Sequence, residues 1–131
     1  MVTLTNKGLE GLARIVNAIL GGTPAYTAYD HMALGSDSTA ENAADTELNT
    51  EITTNGGARA ASTEGYEADY KSTWVHTWNF TGALAIKECG VFDGATPGAA
   101  NSNILMRHVF AATKNVINGD SLQLTMKLTF S

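Results

Sequence analysis

Glu88 is a carboxylate in a row where apolar side chains would be expected. In Leu84-Ala85-Ile86-Lys87-Glu88-Cys89-Gly90-Val91-Phe92-Asp93 the residues alternate as a strand would. Leu84, Ile86, Glu88, Gly90 and Phe92 then share one face, with Ala85, Lys87, Cys89 and Val91 on the other. A charge in such a row needs a partner or an opening to water. The next apolar stretch, Ile104-Leu105-Met106-Arg107-His108-Val109-Phe110, supplies a cation. If the two stretches pair as a hairpin, Glu88 and Arg107 fall on one face, within reach of a forked contact. Such a contact is directional and fixes register, whatever its net stability.

The other chemistry-bearing residues form no catalytic pattern. No GxxxxGK, GxSxG or HExxH occurs in the chain, so the familiar phosphate-cradling, nucleophile-elbow and zinc-protease spacings are missing. His31, His76 and His108 each stand in a separate expected strand, and a metal site would need them to converge, with Asp30 or Asp93. Cys89 reads as a small buried hydrophobe rather than a nucleophile, and as the single cysteine it has no internal disulfide partner. Asp37, Asp45, Glu47 and Glu51 would hold Ca²⁺ only if folded together, and their spacing lacks the glycine and terminal glutamate of an EF-hand loop. Trp74 and Trp78 offer a sugar-stacking platform, although an aromatic row at strand spacing more commonly faces a core or subunit interface. The expectation is a protein with no cofactor, no metal and no catalytic residues.

Composition narrows the class further. The chain has 131 residues, a formal net charge of −5 and 44% hydrophobic residues, with only 16% charged. Soluble domains average about 25% charged, so hydroxyl and amide side chains carry much of this surface. Such a surface suits contact with other proteins. The acidic balance and lack of any basic run argue against binding a nucleic-acid backbone. No apolar run approaches the about 18 residues of a membrane span, and the N-terminus shows no signal-peptide pattern. The length fits one domain with a real core.

The elements that must position these residues follow from periodicity. Leu9, Leu12, Val16, Ile19 and Leu20 make a helical stripe, predicting a helix over 7–20 with a cap at Thr5-Asn6 and a stop at Gly21-Gly22. Gly8 and Gly11 weaken it, so it must dock against a sheet. Tyr29 to Gly35 reads as a short strand, and 43–50 as a short helix or turn anchored by Leu48 and Ile52. Thr53 to Gly57 reads as a bend or bulge leading into a strand through Ala58-Arg59-Ala60-Ala61. Trp74, His76, Trp78 and Phe80 alternate with Thr73, Val75, Thr77 and Asn79, and the short Thr81-Gly82-Ala83 link predicts a hairpin with 84–92. Asp93 to Asn103 is an exposed loop, Ile104 to Ala111 a strand, and Asn118-Gly119-Asp120 a turn. Leu122, Leu124, Met126, Leu128 and Phe130 then alternate with polar residues, which predicts a half-buried strand with Leu124, Met126 and Leu128 in the core. The fold class is mainly β (α+β): an antiparallel sandwich or sheet with one N-terminal amphipathic helix packed on it.

Taken in order, several short motifs resemble a family of small tailed-bacteriophage virion proteins, often labelled tail fibre or structural protein. An L-T-N-x-G opening corresponds to Leu4-Thr5-Asn6-Lys7-Gly8. An apolar-G-x-x-S/T-T segment corresponds to Leu34 through Thr39, and a T-x-L step to Thr46-Glu47-Leu48. E-x-G-[VL]-F-[ND] corresponds to Glu88 through Asp93, and [MI]-L-x-R-x-x-F to the Ile104–Phe110 stretch with Arg107. An alternating T-x-x-x-L-T strand lies within Leu124 to Thr129. The resemblance spans nearly the whole chain; the long 93–103 loop and the 53–67 segment depart from it. It implies a non-enzymatic structural role in a virion, assembled after synthesis in the host bacterial cytoplasm. Small size and the lack of stalk repeats favour a capsid decoration protein, a homo-oligomer with the trimer preferred, bound to other virion proteins. The alternatives are a tail-fibre or baseplate component, or a carbohydrate-binding module using the Trp74/Trp78 row. The interface candidates are Glu88, Arg107, Trp74, Trp78 and Phe92.

Overall fold

The computed structural model describes residues 2–19, 28–68, 70–100 and 102–130, with side chains from 14 to 19 left out. Leu20 and the Gly21-Gly22 stop signal, and the side chains of Val16 and Ile19, lie outside that description. The order is β1 (Thr3–Leu4), α1 (Asn6–Ile19), β2 (His31–Gly35), β3 (Ala60–Ala61), β4 (Thr63–Glu67), β5 (Lys71–Asn79), β6 (Leu84–Phe92), β7 (Ile104–Val116) and β8 (Ser121–Thr129). They make two antiparallel sheets, one ordered β1-β7-β6-β2-β3 and one ordered β4-β5-β8. The mainly β architecture, with a single short N-terminal helix among the described residues, is as the residue pattern predicts.

The sheets bury one core between them. Met32, Leu34, Ile86, Cys89, Val91 and Met106 from the five-stranded sheet meet Trp74, Trp78 and Met126 from the three-stranded one. Both indole N–H groups are satisfied, Trp74 donating to the Tyr29 carbonyl at 2.6 Å and Trp78 to the Ala58 carbonyl at 2.9 Å. Met126 is buried, whereas Leu122, Leu124 and Leu128 pack only half-buried against this core.

Helix α1 starts where Thr5 stops being strand. The Thr5 hydroxyl accepts from the Gly8 amide at 2.9 Å, an N-cap, and donates to the Ile104 carbonyl at 2.6 Å. One side chain thus caps the helix and ties it to β7. Gly8 lies over the Leu105 carbonyl, and a Cβ there would overlap that oxygen. The glycine that weakens the helix intrinsically is what lets it approach the sheet.

Two local expectations change, and one open choice is resolved. Strand β5 does not form a hairpin with β6; its neighbours are β4 and β8, and Thr81-Gly82-Ala83 carries the chain from one sheet to the other. The apolar rows of β5 and β6 are both buried only if they face across the sandwich rather than lie side by side. The crossing is held by Asn55, whose carbonyl accepts from the Thr81 amide at 3.0 Å and whose side chain reaches the Ala83 carbonyl at 3.2 Å. Of the short helix or turn expected over 43–50, the chain forms turns. Side-chain acceptors claim the backbone amides there: Ala44 bonds the Asn42 side chain, Asn42 bonds Asp45, and Thr50 bonds Glu88. Finally, β6 does not keep one alternation. The pairing with β7 shifts between Ile86 and Glu88 and again between Val91 and Phe92. The first irregularity moves Ile86 into the core face with Cys89 and Val91, and leaves Glu88 on the opposite face with Phe92.

Gly8→Ala tests the close approach of helix and sheet. In an isolated helix it would stabilise by about 1 kcal/mol. Here it is expected to destabilise by about 1–3 kcal/mol, as overpacking does, read as a lower urea midpoint with an unchanged slope.

Candidate functional site

The outer face of the five-stranded sheet carries the polar chemistry. Gly35, Ala33 and His31 of β2 lie opposite Glu88, Gly90 and Phe92 of β6, and Gly90 lies opposite Arg107 of β7. Glu88 and Arg107 are therefore diagonal neighbours on one face. Arg107 Nε donates to Glu88 Oε2 at 2.7 Å, and both residues are 0% exposed. The expected pair is formed, but not as a fork. Arg107 Nη1 turns to Asp45 Oδ2 at 3.0 Å and the Ala40 carbonyl at 3.3 Å, and Nη2 to the Thr39 carbonyl at 2.9 Å. Asp37 lies 4.0 Å from Nη2. Glu88 uses its other oxygen to accept from the Thr50 amide at 3.1 Å. The pair thus draws residues 37–50 down over the sheet.

Space for this comes from glycine. A Cβ at Gly35 would fall within the Glu88 carboxylate, and one at Gly90 would crowd Leu48, Phe92 and Ile104. Leu48, Ala33, Phe92 and Ile104 form a second small apolar cluster beneath the polar network. Burial opposes the charge on Arg107, but hydrogen bonds and Coulomb attraction from Glu88 and Asp45 outweigh it and raise its pKa. Asp37 is held at about 2, mainly by hydrogen bonds from Thr39 and Asn49.

A second arginine does the same work farther along and was not anticipated. Arg59 forks onto Glu51, Nε to Oε1 at 2.8 Å and Nη2 to Oε2 at 3.0 Å. Its Nη1 donates to the Gly94 carbonyl and the Ser102 hydroxyl. The guanidinium carbon lies 3.7 Å from the centre of the Phe92 ring. In the sequence Arg59 sits among small residues with no periodic signal, so nothing local marked it. The loop beyond Phe92 is pinned by buried Asp93, which accepts from the Asn103 amide at 2.6 Å and its side chain at 3.0 Å.

Glu41 is a third unanticipated latch. It accepts from the Val109 amide at 2.7 Å and the Thr3 hydroxyl at 2.8 Å, and lies 3.1 Å from His108 Nδ1. Burial pushes its pKa up, but the hydrogen bonds from Val109 and Thr3 and the attraction of His108 prevail, leaving it below its ordinary 4.5.

The remaining candidates fall apart. The acidic residues 37, 45 and 51 are divided between two arginines rather than gathered round a cation, and no group of three or more possible metal ligands occurs among the described residues. The three histidines do not converge: His31 pairs with Asp30, His76 lies edge-on to Trp78, and His108 meets Glu41. Burial, with Glu41 and Glu88 adding to it, pushes the Cys89 thiol up to about 12, which suits core and not nucleophilic chemistry. Trp74 and Trp78 are 6% and 2% exposed. Their faces pack in the intersheet core, so the row cannot serve as a sugar-stacking platform in this structure.

The fold and site define a β-sandwich with an outer layer strapped to one sheet by buried arginines. No family model, curated protein or solved structure matches the chain.

Two measurements probe this network. Arg107→Gln or Glu88→Gln alone is expected to cost about 3–5 kcal/mol in urea unfolding, because each strands the other charge. The double variant should cost less than the sum, since both partners lie within one chain. For Glu41, a lowered folded pKa means its stabilising contribution is present above pH 4.5 and is lost as pH falls below that value. Glu41→Gln should flatten the acid side of the stability–pH profile in that window and leave its shape near neutrality unchanged.

Proposed function

We propose that the chain is a non-enzymatic structural component of a tailed-phage virion. Within that class we propose a capsid decoration protein that sits on the head surface as an oligomer, bound to other virion proteins. One observation carries the reading. Five of the six short motifs behind the resemblance, scattered from Leu4 to Phe110, converge on one structural unit, and the sixth lies in β8 of the facing sheet. Thr5 caps the helix against Ile104, Gly35 makes room for Glu88, and the Thr39 carbonyl receives Arg107. Leu48 packs with Phe92. The motifs thus correspond to the contacts that build this sandwich and not to a ligand pocket.

The physical character of the surface supports the same reading. Two arginines with buried side chains, Arg107 and Arg59, bind the outer layer to the sheet. A preorganised surface loses less entropy when it docks, which suits repeated attachment to an ordered protein lattice. The net charge of −5 supports a protein partner over nucleic acid.

Fractionation of disrupted virions tests the proposal. The protein is expected to leave with the heads, and purified protein should rebind heads that lack it. Recovery with tails would move it to a fibre or baseplate position. Absence from both fractions would overturn the virion reading.

A further inference from the structure

Four strands lie at sheet edges, and three of them are blunted. Strands β1 and β3 are two residues long, and beyond β1 the Val109 amide of β7 is taken by Glu41. Strand β4 is five residues, fully exposed, and carries Glu64 and Glu67. Short length and charge are the usual protections against edge-to-edge pairing. Strand β8 has neither. It runs nine residues from Ser121 to Thr129 without proline or glycine, in unbroken register with β5. Its one charge is Lys127, which bonds Glu67 across the sheet at 2.8 Å. Among the described residues no strand pairs with its other side. The far end of β7, the other long free stretch, follows the register shift opposite Lys87 and is a poorer template.

The side chains of β8 look unfinished in the same direction. Leu122, Leu124 and Leu128 face the core yet stay half-buried, while the neighbouring Trp74 and Trp78 are closed off. We propose that β8 is a seam at which two copies of this chain join, antiparallel about a two-fold axis through Thr125. In that register Leu122 meets the second copy's Leu128, and Leu124 meets its Met126. On the outer face Lys127 falls against the neutral amide of Gln123, and Thr125 against itself. Apolar residues meet apolar ones and no like charges face each other, which is the self-complementarity a two-fold interface requires. The two three-stranded sheets become one continuous sheet, with the leucine row covered from its open side. This dimer deepens the oligomer in the proposed function, and it replaces the expected trimer with an isologous pair.

Thr125 is exposed, so charging it should leave the fold intact and act only at the axis. Sedimentation velocity on the full chain should give a dimer. Thr125→Glu should raise the dimer Kd at least about tenfold by setting like charges against each other, with its urea midpoint unchanged. Thr125→Lys should do the same, and an equal mixture of the two variants should restore the dimer. Thr125→Cys should cross-link into a dimer on oxidation, because Cys89 is buried and does not compete. A wild-type monomer, a trimer, or a Thr125→Glu dimer as tight as wild type would each overturn the seam. Virion fractionation reads out separately: a protein found in heads without this dimer removes the seam alone, and a dimer absent from virions removes the functional reading alone.

Discussion

A buried guanidinium must have its donors satisfied, and in this protein most of the outer architecture answers that requirement. Arg107 is sealed from solvent and bonded to Glu88, Asp45 and the carbonyls of Thr39 and Ala40. Desolvating the two charges is costly, and one contact between them would recover little. The gain is in specificity. Each further acceptor comes from the 37–50 segment, so that segment has one place to lie. Glu88 repeats the logic from the other strand by accepting from the Thr50 amide.

The same sheet is thereby covered on both faces. One face packs through apolar contact against Trp74, Trp78 and Met126, and the two indole N–H groups donate to the Tyr29 and Ala58 carbonyls. The other is closed by irregular chain, which must dispose of its backbone polar groups without a ladder. Arginines and carboxylates supply those partners, with Arg59 and Asp93 extending the arrangement to the 93–103 loop. Glycine makes the layer thin enough to fit: Gly35 under Glu88 and Gly90 opposite Arg107. Cation and aromatic then stack directly, with Arg59 over Phe92.

A consequence is that the groups with chemical potential are consumed by structure. Carboxylates 37, 45 and 51 neutralise arginines, Cys89 is shut in the core, and the tryptophan N–H groups donate to backbone carbonyls. The surface of the described residues keeps exposed charges such as Glu47, Glu64 and Lys114, exposed apolar side chains such as Tyr66 and Ile117, and the free edge of β8.

Much of the domain was legible from residue order. The helix after Thr5, the period-two rows of 71–79 and 121–129, and the pairing of Glu88 with Arg107 all follow from local periodicity and from the cost of an isolated buried charge, but Leu9 of the expected stripe is 53% exposed and Gly8 is what packs on Leu105. Those signals act between residues a few positions apart, or between two adjacent strands. Three features needed the folded chain. The bulge at Lys87 reversed the face of Ile86 relative to Glu88, and alternation carries no mark of an inserted residue. The crossing at Thr81–Ala83 was set by which buried rows face one another, a choice made between sheets and not within a turn. Arg59 and Glu41 gained their roles from partners up to 68 positions away. A charged side chain in a polar stretch looks the same in sequence whether it ends in water or seals a sheet; only the packing around it decides.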